Sequence, residues 1–360
     1  MDMNRREWLA GSGALAGMAA MPAQALAQAQ ALAQAPAPLD LRLIHPELRT
    51  IAQRMSAMFK DMPQWNRENL PQLRKPYPFG DFTPLKDVPH ERRVIPVGKP
   101  HPDVAIHVIN AKPGASRPAI LHTHGGGYII GSAEQSVRQL QEICQKLDCA
   151  AVSVDYRLAP ETTYAGSIED NYAGLKWLHA NAASLGVDPA RIAVMGESAG
   201  GGHAAILALV ARDRGEVPVC FQCLIYPMLD DRTGTTRKVQ PWVGQLVWTP
   251  AQNRFGWESF LGTKAGGSKA PKYAVPARMA DLKGLPPAFI GVGSLDLFCD
   301  EDADYAQRLN NAGVPAELIV VPGAFHGFDG ISKMVKAPIG AWFENATMNA
   351  LRRGFGLPAA

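Results

Sequence analysis

The sequence predicts an α/β protein whose mostly parallel sheet is flanked by helices. Two observations carry this prediction. From about residue 90 onward, short apolar runs of strand length alternate with segments of helical periodicity. The later apolar runs are also continuous, without polar residues at every second position, which is typical of strands covered on both faces.

Eight apolar runs are predicted as strands: residues 93–97, 104–109, 119–123, 150–154, 191–195, 219–226, 287–292 and 317–321. The first two lie close together in the chain, so a hairpin is expected at that edge of the sheet. Apolar residues at helical spacing predict helices around residues 168–178 and over residues 301–311, and Gly313 and Pro315 end the second one.

Length and composition restrict the function. The 360 residues allow one large domain or two modest ones. With 36 Lys plus Arg against 33 Asp plus Glu, the net charge is only +3 and no basic stripe is visible, which argues against a nucleic-acid partner. No apolar run is long enough for an ordinary membrane span, so no stable membrane anchor is expected. Five cysteines in a chain of this length do not form a disulfide scaffold.

Residues 1–38 differ from the rest and are predicted to be an export signal followed by a low-complexity linker. Arg5 and Arg6 precede a weakly apolar, Ala- and Gly-rich stretch, and several A-x-A triplets follow. The arginine pair resembles a twin-arginine motif, which predicts the twin-arginine export machinery as a partner and a periplasmic or secreted location. Export by the general secretory route, or no export at all, is the alternative.

Two segments of the remaining chain, residues 40–88 and 228–284, interrupt the alternation of strands and helices. Such insertions at the ends of sheet strands often form lids or binding walls. We therefore expect a helical cap built from both segments on a single main domain that spans residues 39–360. Plain packing of the aromatic side chains is the competing interpretation. The aromatic residues expected to roof the site are Trp242, Trp248, Phe255, Trp257 and Phe260.

A serine nucleophile is predicted at Ser198. It is the centre of a G-x-S-x-G sequence, residues 196–200, between a predicted strand and a helical run that begins at Gly201. A sharp strand-to-helix turn lifts the hydroxyl above the sheet, and the flanking glycines remove side chains that would collide. The same turn directs the N–H of Ala199, at the positive end of the helix, toward the site.

A second loop follows the strand predicted at residues 119–123. Its sequence is His124-Gly125-Gly126-Gly127. Three consecutive glycines increase the conformational entropy that the chain loses on folding, so a structural or functional requirement for them is expected. We expect backbone N–H groups of this loop to join the Ala199 N–H in an oxyanion hole. His124 could also be a catalytic base or, with His122, a metal-binding pair, although no third ligand sits at metal-binding spacing. We expect a structural role instead, with the His124 ring bonded to the loop backbone.

The serine needs a base and the base needs an acid. His326 lies just past the last predicted strand and Asp296 just past the strand before it. Both therefore lie at the sheet edge that carries Ser198, and the order Ser, Asp, His is that of the α/β-hydrolase fold. Four other acids compete with Asp296 but lie later, in the predicted helix: Asp300, Glu301, Asp302 and Asp304.

At this point the sequence resembles the hormone-sensitive-lipase-like esterases, bacterial family IV. The resemblance rests on the loop at His124, the Asp155-Tyr156-Arg157-Leu158-Ala159-Pro160-Glu161 motif, the serine motif extended to Gly201, and the loops at Asp296 and His326. It covers roughly residues 40–355. It implies an α/β-hydrolase fold with a cap, a triad of Ser198, Asp296 and His326, and oxyanion donors at Gly125, Gly126 and Ala199.

Two details of the resemblance bear on the site. Glu197 stands where Asp is commoner in the family, and we expect it to adjust loop contacts without changing the chemistry. The motif from Asp155 to Glu161 is expected to be structural, fixing a turn near the site through Arg157.

The function expected is hydrolysis of small, short-chain acyl esters without a metal or organic cofactor. A non-catalytic small-molecule binder on the same fold is the alternative from another class. The plant gibberellin receptors resemble the family but lack its histidine, and His326 argues against that reading. Amide or lactone hydrolysis by the same groups stays open, as does a homodimer.

Overall fold

The computed structural model describes residues 38–60, 62–75 and 82–358. The predicted export signal therefore lies outside the described residues, apart from Pro38. From Leu39 onward the described residues belong to one compact unit. No helix within these ranges is long and apolar enough to cross a membrane.

The described chain contains eight strands in a single sheet. They are β1 His90–Ile95, β2 Val104–Ile109, β3 Arg117–Thr123, β4 Ala150–Asp155, β5 Val187–Glu197, β6 Phe221–Ile225, β7 Ala288–Gly293 and β8 Ala316–Val321. Their order across the sheet is β1-β2-β4-β3-β5-β6-β7-β8. β2 runs antiparallel to both β1 and β4, and all other neighbours are parallel.

Helices follow most strands. Those described are α1 Arg49–Phe59, α2 Leu70–Leu73, α3 Val137–Leu147, α4 Tyr164–Ala180, α5 Ala182–Leu185, α6 Ala199–Arg214, α7 Pro250–Leu261, α8 Cys299–Asn311, α9 Phe328–Val335 and α10 Pro338–Gly354. Single turns of 3-10 helix form at Pro46–Leu48, Ala133–Ser136 and Pro276–Arg278.

This architecture confirms the predicted fold class and the hairpin of the first two strands. All eight predicted strands exist, with ends that differ by a few residues. The largest difference is in β5, which begins at Val187, four residues before the predicted start at Arg191. The added residues are exposed or half-buried between Asp188 and Arg191, so hydrophobicity does not mark them.

The sheet separates two apolar cores, because alternate residues of a strand point to opposite faces. In β3, Leu121 packs with residues of α4 and α6, whereas Ile120 packs with residues of α3 and α10. α6 lies deepest, and every residue from Ala199 to Ala211 is buried. Helices therefore cover both faces and hold the carboxyl ends of the parallel strands at one edge.

The segment of residues 40–88 divides into two parts. Leu48 and Ala52 of its first part are fully buried in the core that also contains α3 and α10. Farther along, the ring of Trp65 meets that of Trp248 edge to face, with centroids 5.7 Å apart. Arg74 donates hydrogen bonds to the carbonyl oxygens of Ile129 and Ala159. Both parts approach the carboxyl edge of the sheet, because the His45 N–H of the first part donates to the Gly323 carbonyl at 2.9 Å, in the loop after β8.

The five aromatic residues of the second segment do not form one roof, so that prediction is wrong as stated. Trp257 and Phe260 are buried beside Tyr128, with Phe260 stacked on its ring at 4.0 Å. Trp242 is 47% exposed. Of the five, Trp248 is the one whose ring pairs with that of His326, at a centroid distance of 6.4 Å. The packing interpretation therefore holds for Trp257 and Phe260.

Candidate active site

Ser198 stands between the end of β5 and the start of α6 in a left-handed backbone conformation, with φ 58° and ψ −122°. The Ser198 N–H donates a hydrogen bond to the Ile225 carbonyl at 2.9 Å, and the Ser198 carbonyl accepts one from the Met228 N–H. Such a conformation is strained for a residue with a Cβ and persists only when its surroundings fix it. Backbone bonds to β6 and the loop after it supply that restraint.

The two glycines of the turn are required by close backbone contacts. A Cβ at residue 200 would lie 2.0 Å from the carbonyl oxygen of Thr123. One at residue 196 would lie 2.4 Å from Gly200 and 2.6 Å from the same Thr123 oxygen. β3 and the serine turn are thus in direct backbone contact, which explains why both positions lack a side chain.

Three side chains predicted to act together form a continuous hydrogen-bonded chain. Nε2 of His326 lies 2.9 Å from Oγ of Ser198, and its Nδ1 lies 2.8 Å from Oδ2 of Asp296. The other oxygen of Asp296 accepts a hydrogen bond from the Phe298 N–H at 3.0 Å. Asp296 is fully buried, and Ser198 and His326 are 7% and 5% exposed. Each comes from the loop after a different parallel strand, β5, β7 or β8.

Aromatic rings surround the imidazole of His326. Tyr226 and Phe298 meet it edge to face, at 4.7 and 5.2 Å between centroids. The Tyr226 hydroxyl donates to Oδ1 of Asp329 at 2.8 Å, and burial raises the pKa of that carboxyl. Because Asp329 lies in the first turn of α9, just after His326, this bond ties the histidine loop to the residue that follows β6.

A different close contact excludes a side chain at each of the three glycines in the loop at His124. A Cβ at Gly125 would lie 3.0 Å from the carbonyl oxygen of Glu197 and 3.6 Å from Cβ of Ser198. Gly126 has φ +122°, and a Cβ there would be 2.1 Å from the Ile130 carbonyl oxygen. Gly127 has φ +59°, and a Cβ there would fall 2.0 Å from Cη2 of Trp248. The loop therefore passes directly against the serine turn.

Donors without partners meet at this place. Within the part of the chain that the structure describes, no protein group accepts a hydrogen bond from the N–H of Gly125, Gly126 or Ala199. The Ala199 N–H opens α6, where the helix leaves its first amides free and its dipole favours negative charge. These three amides are therefore hydrogen-bond donors without an acceptor in the described part of the serine turn and the glycine loop.

His124 has the structural role predicted for it. Its Nδ1 donates to the carbonyl oxygen of Gly125 at 2.8 Å, and its ring stacks on Tyr156 at 4.2 Å. The Tyr156 hydroxyl in turn donates to the His124 carbonyl at 2.7 Å. Burial lowers the pKa of His124 to about 4, so the ring is neutral at pH 7. His124 therefore holds the glycine loop.

A network that the sequence did not reveal lies under the serine turn. Nε2 of His122 is 3.0 Å from Oε2 of Glu197, and its Nδ1 is 2.9 Å from Oγ of Ser153. Gln139 donates to the other Glu197 oxygen at 3.2 Å. The side chain at the residue before Ser198 is thus bonded directly to β3 and α3, and through His122 to Ser153 of β4. Its partners are distant in the chain, and only the strand order brings them together.

The motif from Asp155 to Glu161 has the structural role expected. Arg157 donates to both oxygens of the fully buried Asp170, with its shortest contact at 2.7 Å. Glu161 receives two hydrogen bonds of 2.7 Å from Arg74. The Ala159 N–H also donates to the carbonyl of Tyr128, at the end of the glycine loop. The motif therefore supports that loop from outside.

The four acids that competed with Asp296 all lie in α8, away from His326. Glu301 accepts hydrogen bonds from the N–H groups of Leu229 and Asp230, and burial raises its pKa well above the usual range. Asp304 pairs with Arg237 at the surface. In residues 38–60, 62–75 and 82–358, no three His, Cys, Asp or Glu side chains are grouped so that they could hold a metal ion.

Comparison with known proteins agrees with this geometry. A family model described as alpha/beta hydrolase fold matches residues 120–330. Over 226 residues the chain is 38% identical to Carboxylesterase NlhH of Mycobacterium tuberculosis, which covers 61% of this chain and 69% of that protein. Over 242 residues it is 35% identical to Esterase LipI of the same species, covering 66% of this chain and 73% of that protein.

Among solved structures, a bacterial heroin esterase superposes with a TM-score of 0.73 at 35% identity, over 88% of this chain and 99% of that one. The family model, the sequence relatives and the structural neighbour agree with the fold described above. The chain therefore belongs to the alpha/beta hydrolase family, in its hormone-sensitive-lipase-like group.

Proposed function

We propose that the protein is a carboxylesterase that hydrolyses small esters through Ser198, His326 and Asp296. The observation that carries the proposal is the hydrogen-bonded chain of 2.9 and 2.8 Å that joins the three side chains at the carboxyl edge of the sheet. Relatives named as carboxylesterases and esterases support it.

In the first half of the reaction, Oγ of Ser198 attacks the ester carbonyl carbon and Nε2 of His326 takes the hydroxyl proton. Asp296 accepts the Nδ1–H of the ring, which fixes the tautomer that leaves Nε2 free, and it stabilises the imidazolium that forms. Because Asp296 is fully buried and also bonded to the Phe298 N–H, its carboxylate cannot turn away from the ring.

Negative charge develops on the carbonyl oxygen in the tetrahedral intermediate. The N–H groups of Gly125, Gly126 and Ala199 are the donors we assign to it. Gly125 lies against Ser198, Gly126 follows it in the loop, Ala199 is the next residue after Ser198, and none of the three N–H groups has a protein acceptor in the described chain. Preorganised donors of this kind contribute about 3 kcal/mol each to the transition state. The strain at Ser198 and the contacts of the glycine loop set their position before substrate arrives.

The intermediate collapses when the bond to the alcohol oxygen breaks and His326 gives its proton to the leaving alkoxide. Water then enters, His326 removes one of its protons, and the hydroxide attacks the acyl-serine carbonyl. The Ser198 oxygen leaves with the proton from His326, which restores the enzyme and releases the acid.

Substrates with small acyl groups are the expected class, because the reacting side chains are nearly enclosed. Ser198 and His326 expose only 7% and 5% of their surface. A panel of p-nitrophenyl esters from acetate to palmitate, with the corresponding anilides and a lactone, tests both chain length and bond type on the full chain. We expect the highest kcat/KM at roughly two to eight acyl carbons, because buried reacting groups leave little room for a longer chain.

Two variants test the mechanism itself. Ser198→Ala should abolish turnover with an unchanged fold, and Asp296→Asn should lower kcat by about 10⁴-fold because His326 then adopts the wrong tautomer. A protein that binds esters but turns none of them over would be a receptor, which is the outcome that refutes the proposal.

A further inference from the structure

Residues 244–248 contact three loops of the site, those that carry Asp296 and His326 and the glycine loop at His124. The Gly244 N–H donates to the Leu295 carbonyl at 3.0 Å, next to Asp296. Val247 lies against Gly327, beside His326. The indole of Trp248 then covers Gly127 of the glycine loop. One short segment of the cap is therefore fixed to the acid loop, the base loop and the loop of proposed oxyanion donors.

The backbone of this segment is strained. Val247 has φ +65°, which is a true outlier for a β-branched residue. The Trp248 N–H donates to the Leu246 carbonyl at 2.7 Å, a bond across two residues that closes a γ-turn of the rare form with positive φ at its centre. Strain of this kind persists only where the surrounding structure enforces it, and it is concentrated at functional sites.

The turn holds the Trp248 ring in one place. Its Nε1–H donates to Oδ1 of Asn253 at 3.1 Å, and the Asn253 amide donates to the Thr233 carbonyl at 2.9 Å. Trp65 closes another side of the ring, at 5.7 Å between centroids. Trp248 is only 4% exposed, so its side chain is almost completely surrounded by other residues. It forms a rigid wall between Gly127 and His326.

We propose that Trp248 is the specificity-determining residue that limits the length of the ester chain accepted at Ser198. The inference rests on the proposed esterase function and adds one assignment to it. The indole is centred 6.4 Å from the His326 ring and its tip occupies the place of a side chain at Gly127. A substrate chain that extends between the base and the glycine loop therefore meets this wall.

The test compares Trp248→Leu with a matched control, Trp257→Leu. Trp257 lies in the same cap segment, fully buried against Tyr128 and Phe260, and makes no ring contact with His326. For each full-length variant, kcat/KM is measured on p-nitrophenyl acetate, butyrate, hexanoate, octanoate and decanoate. A second series varies the alcohol, from ethyl to hexyl acetate, and shows on which side of the ester the space opens.

Trp248→Leu should raise the ratio of octanoate to acetate kcat/KM by about tenfold or more, since each methylene that finds apolar contact adds up to about fourfold. A comparable rise for the longer alcohols would place the space on the alcohol side and also support the wall. Trp257→Leu should leave both ratios unchanged. Should Trp248→Leu fail to fold, Trp248→Phe removes the second ring and is expected to shift the ratio in the same direction.

Unchanged ratios in both series for folded Trp248 variants, or an equal shift in Trp257→Leu, would overturn the assignment of Trp248. Failure of the proposed function is a separate result, because it would appear as no turnover of any ester by the wild type, or as hydrolysis that persists in Ser198→Ala, whatever the chain-length ratio.

Discussion

Oε2 of Glu197 lies 3.0 Å from Nε2 of the fully buried His122, directly below the strained backbone of Ser198. The contact joins the last residue of β5 to the penultimate residue of β3. His122 is fixed from its other side by Ser153, at 2.9 Å from Oγ to Nδ1. Glu197 is therefore held in place by a network that spans three adjacent strands, and the serine turn begins from it.

His122→Phe should lower the free energy of unfolding by about 1–3 kcal/mol, because it leaves the Ser153 hydroxyl and a largely buried Glu197 carboxylate without their partner. We also expect kcat to fall several-fold while KM stays the same, since Glu197 adjoins the nucleophile. His107→Phe is the matched control, as His107 is also buried but lies on β2, away from Ser198. Equal effects of the two substitutions, measured by urea unfolding and ester hydrolysis, would show that His122 has no particular role in supporting the serine turn.

The contact between β3 and the serine turn gives a second prediction. Gly200→Ala should destabilise the protein by about 3 kcal/mol or more, because the new Cβ would lie 2.0 Å from the Thr123 carbonyl oxygen and both groups are backbone-fixed. Gly330→Ala is the control in α9, where a Cβ meets nothing within 4 Å. That variant should gain up to about 1 kcal/mol from helix propensity. Thermal unfolding of the two variants distinguishes these outcomes, and a stable Gly200→Ala protein would show that the turn can relax.

A third prediction concerns acid stability. Burial lowers the pKa of His203 to about 3, and neither ring nitrogen has a protein partner in the described chain. The unfolded chain binds the proton below about pH 6.5, whereas the folded protein does not, so this group lowers stability as the pH falls from 6.5 toward 3. His203→Leu removes the effect. The free energy of unfolding of the variant, relative to that of the wild type, should therefore increase by up to about 1.4 kcal/mol for each pH unit below 6.5.

Urea unfolding at pH 7, 6 and 5 measures this difference in unfolding free energy directly, since the other titrating groups are common to the two proteins and cancel. A difference that stays constant across this range would mean that His203 is protonated in the folded state as readily as in the unfolded chain.

Several elements follow from the sequence alone. β3, β6 and β7 are recognisable because strands covered on both faces are continuous apolar runs. Ser198, Asp296 and His326 are recognisable because each lies in the segment that follows a predicted strand, and the carboxyl ends of parallel strands meet at one edge. The pairing of His122 with Glu197 does not follow, because it needs the strand order that places β3 beside β5.

In the cap, the hydrophobic pattern of the sequence does not show which buried aromatic residues lie at the site. Trp248 and Trp257 are both buried aromatic residues of the same segment, yet one adjoins His326 and the other packs on Tyr128. The difference arises from the γ-turn at Val247, whose backbone conformation no propensity of valine suggests. The same turn explains the third glycine of the loop at His124, because a side chain at Gly127 would collide with the indole that the turn positions.

The arginine pair near the start of the sequence gives a prediction that is independent of the fold. Arg5→Lys with Arg6→Lys should retain folded, active enzyme in the cytoplasm if the segment is a twin-arginine signal. Arg352→Lys with Arg353→Lys changes an adjacent pair at the other end of the chain and should leave export intact. Ester hydrolysis in periplasmic and cytoplasmic fractions is the measurement. Equal periplasmic activity of the two double variants would refute the signal.

The most direct test of the proposed reaction is labelling with a serine-directed organophosphate, followed by mass spectrometry of the digested protein. Because His326 activates only Ser198, we expect one label per chain, located on the peptide that contains Ser198, and loss of p-nitrophenyl acetate hydrolysis in proportion to labelling. His326→Ala should react far more slowly. Full hydrolytic activity in a chain whose Ser198 is completely labelled, or a label on a different residue that accounts for the inactivation, would contradict the account.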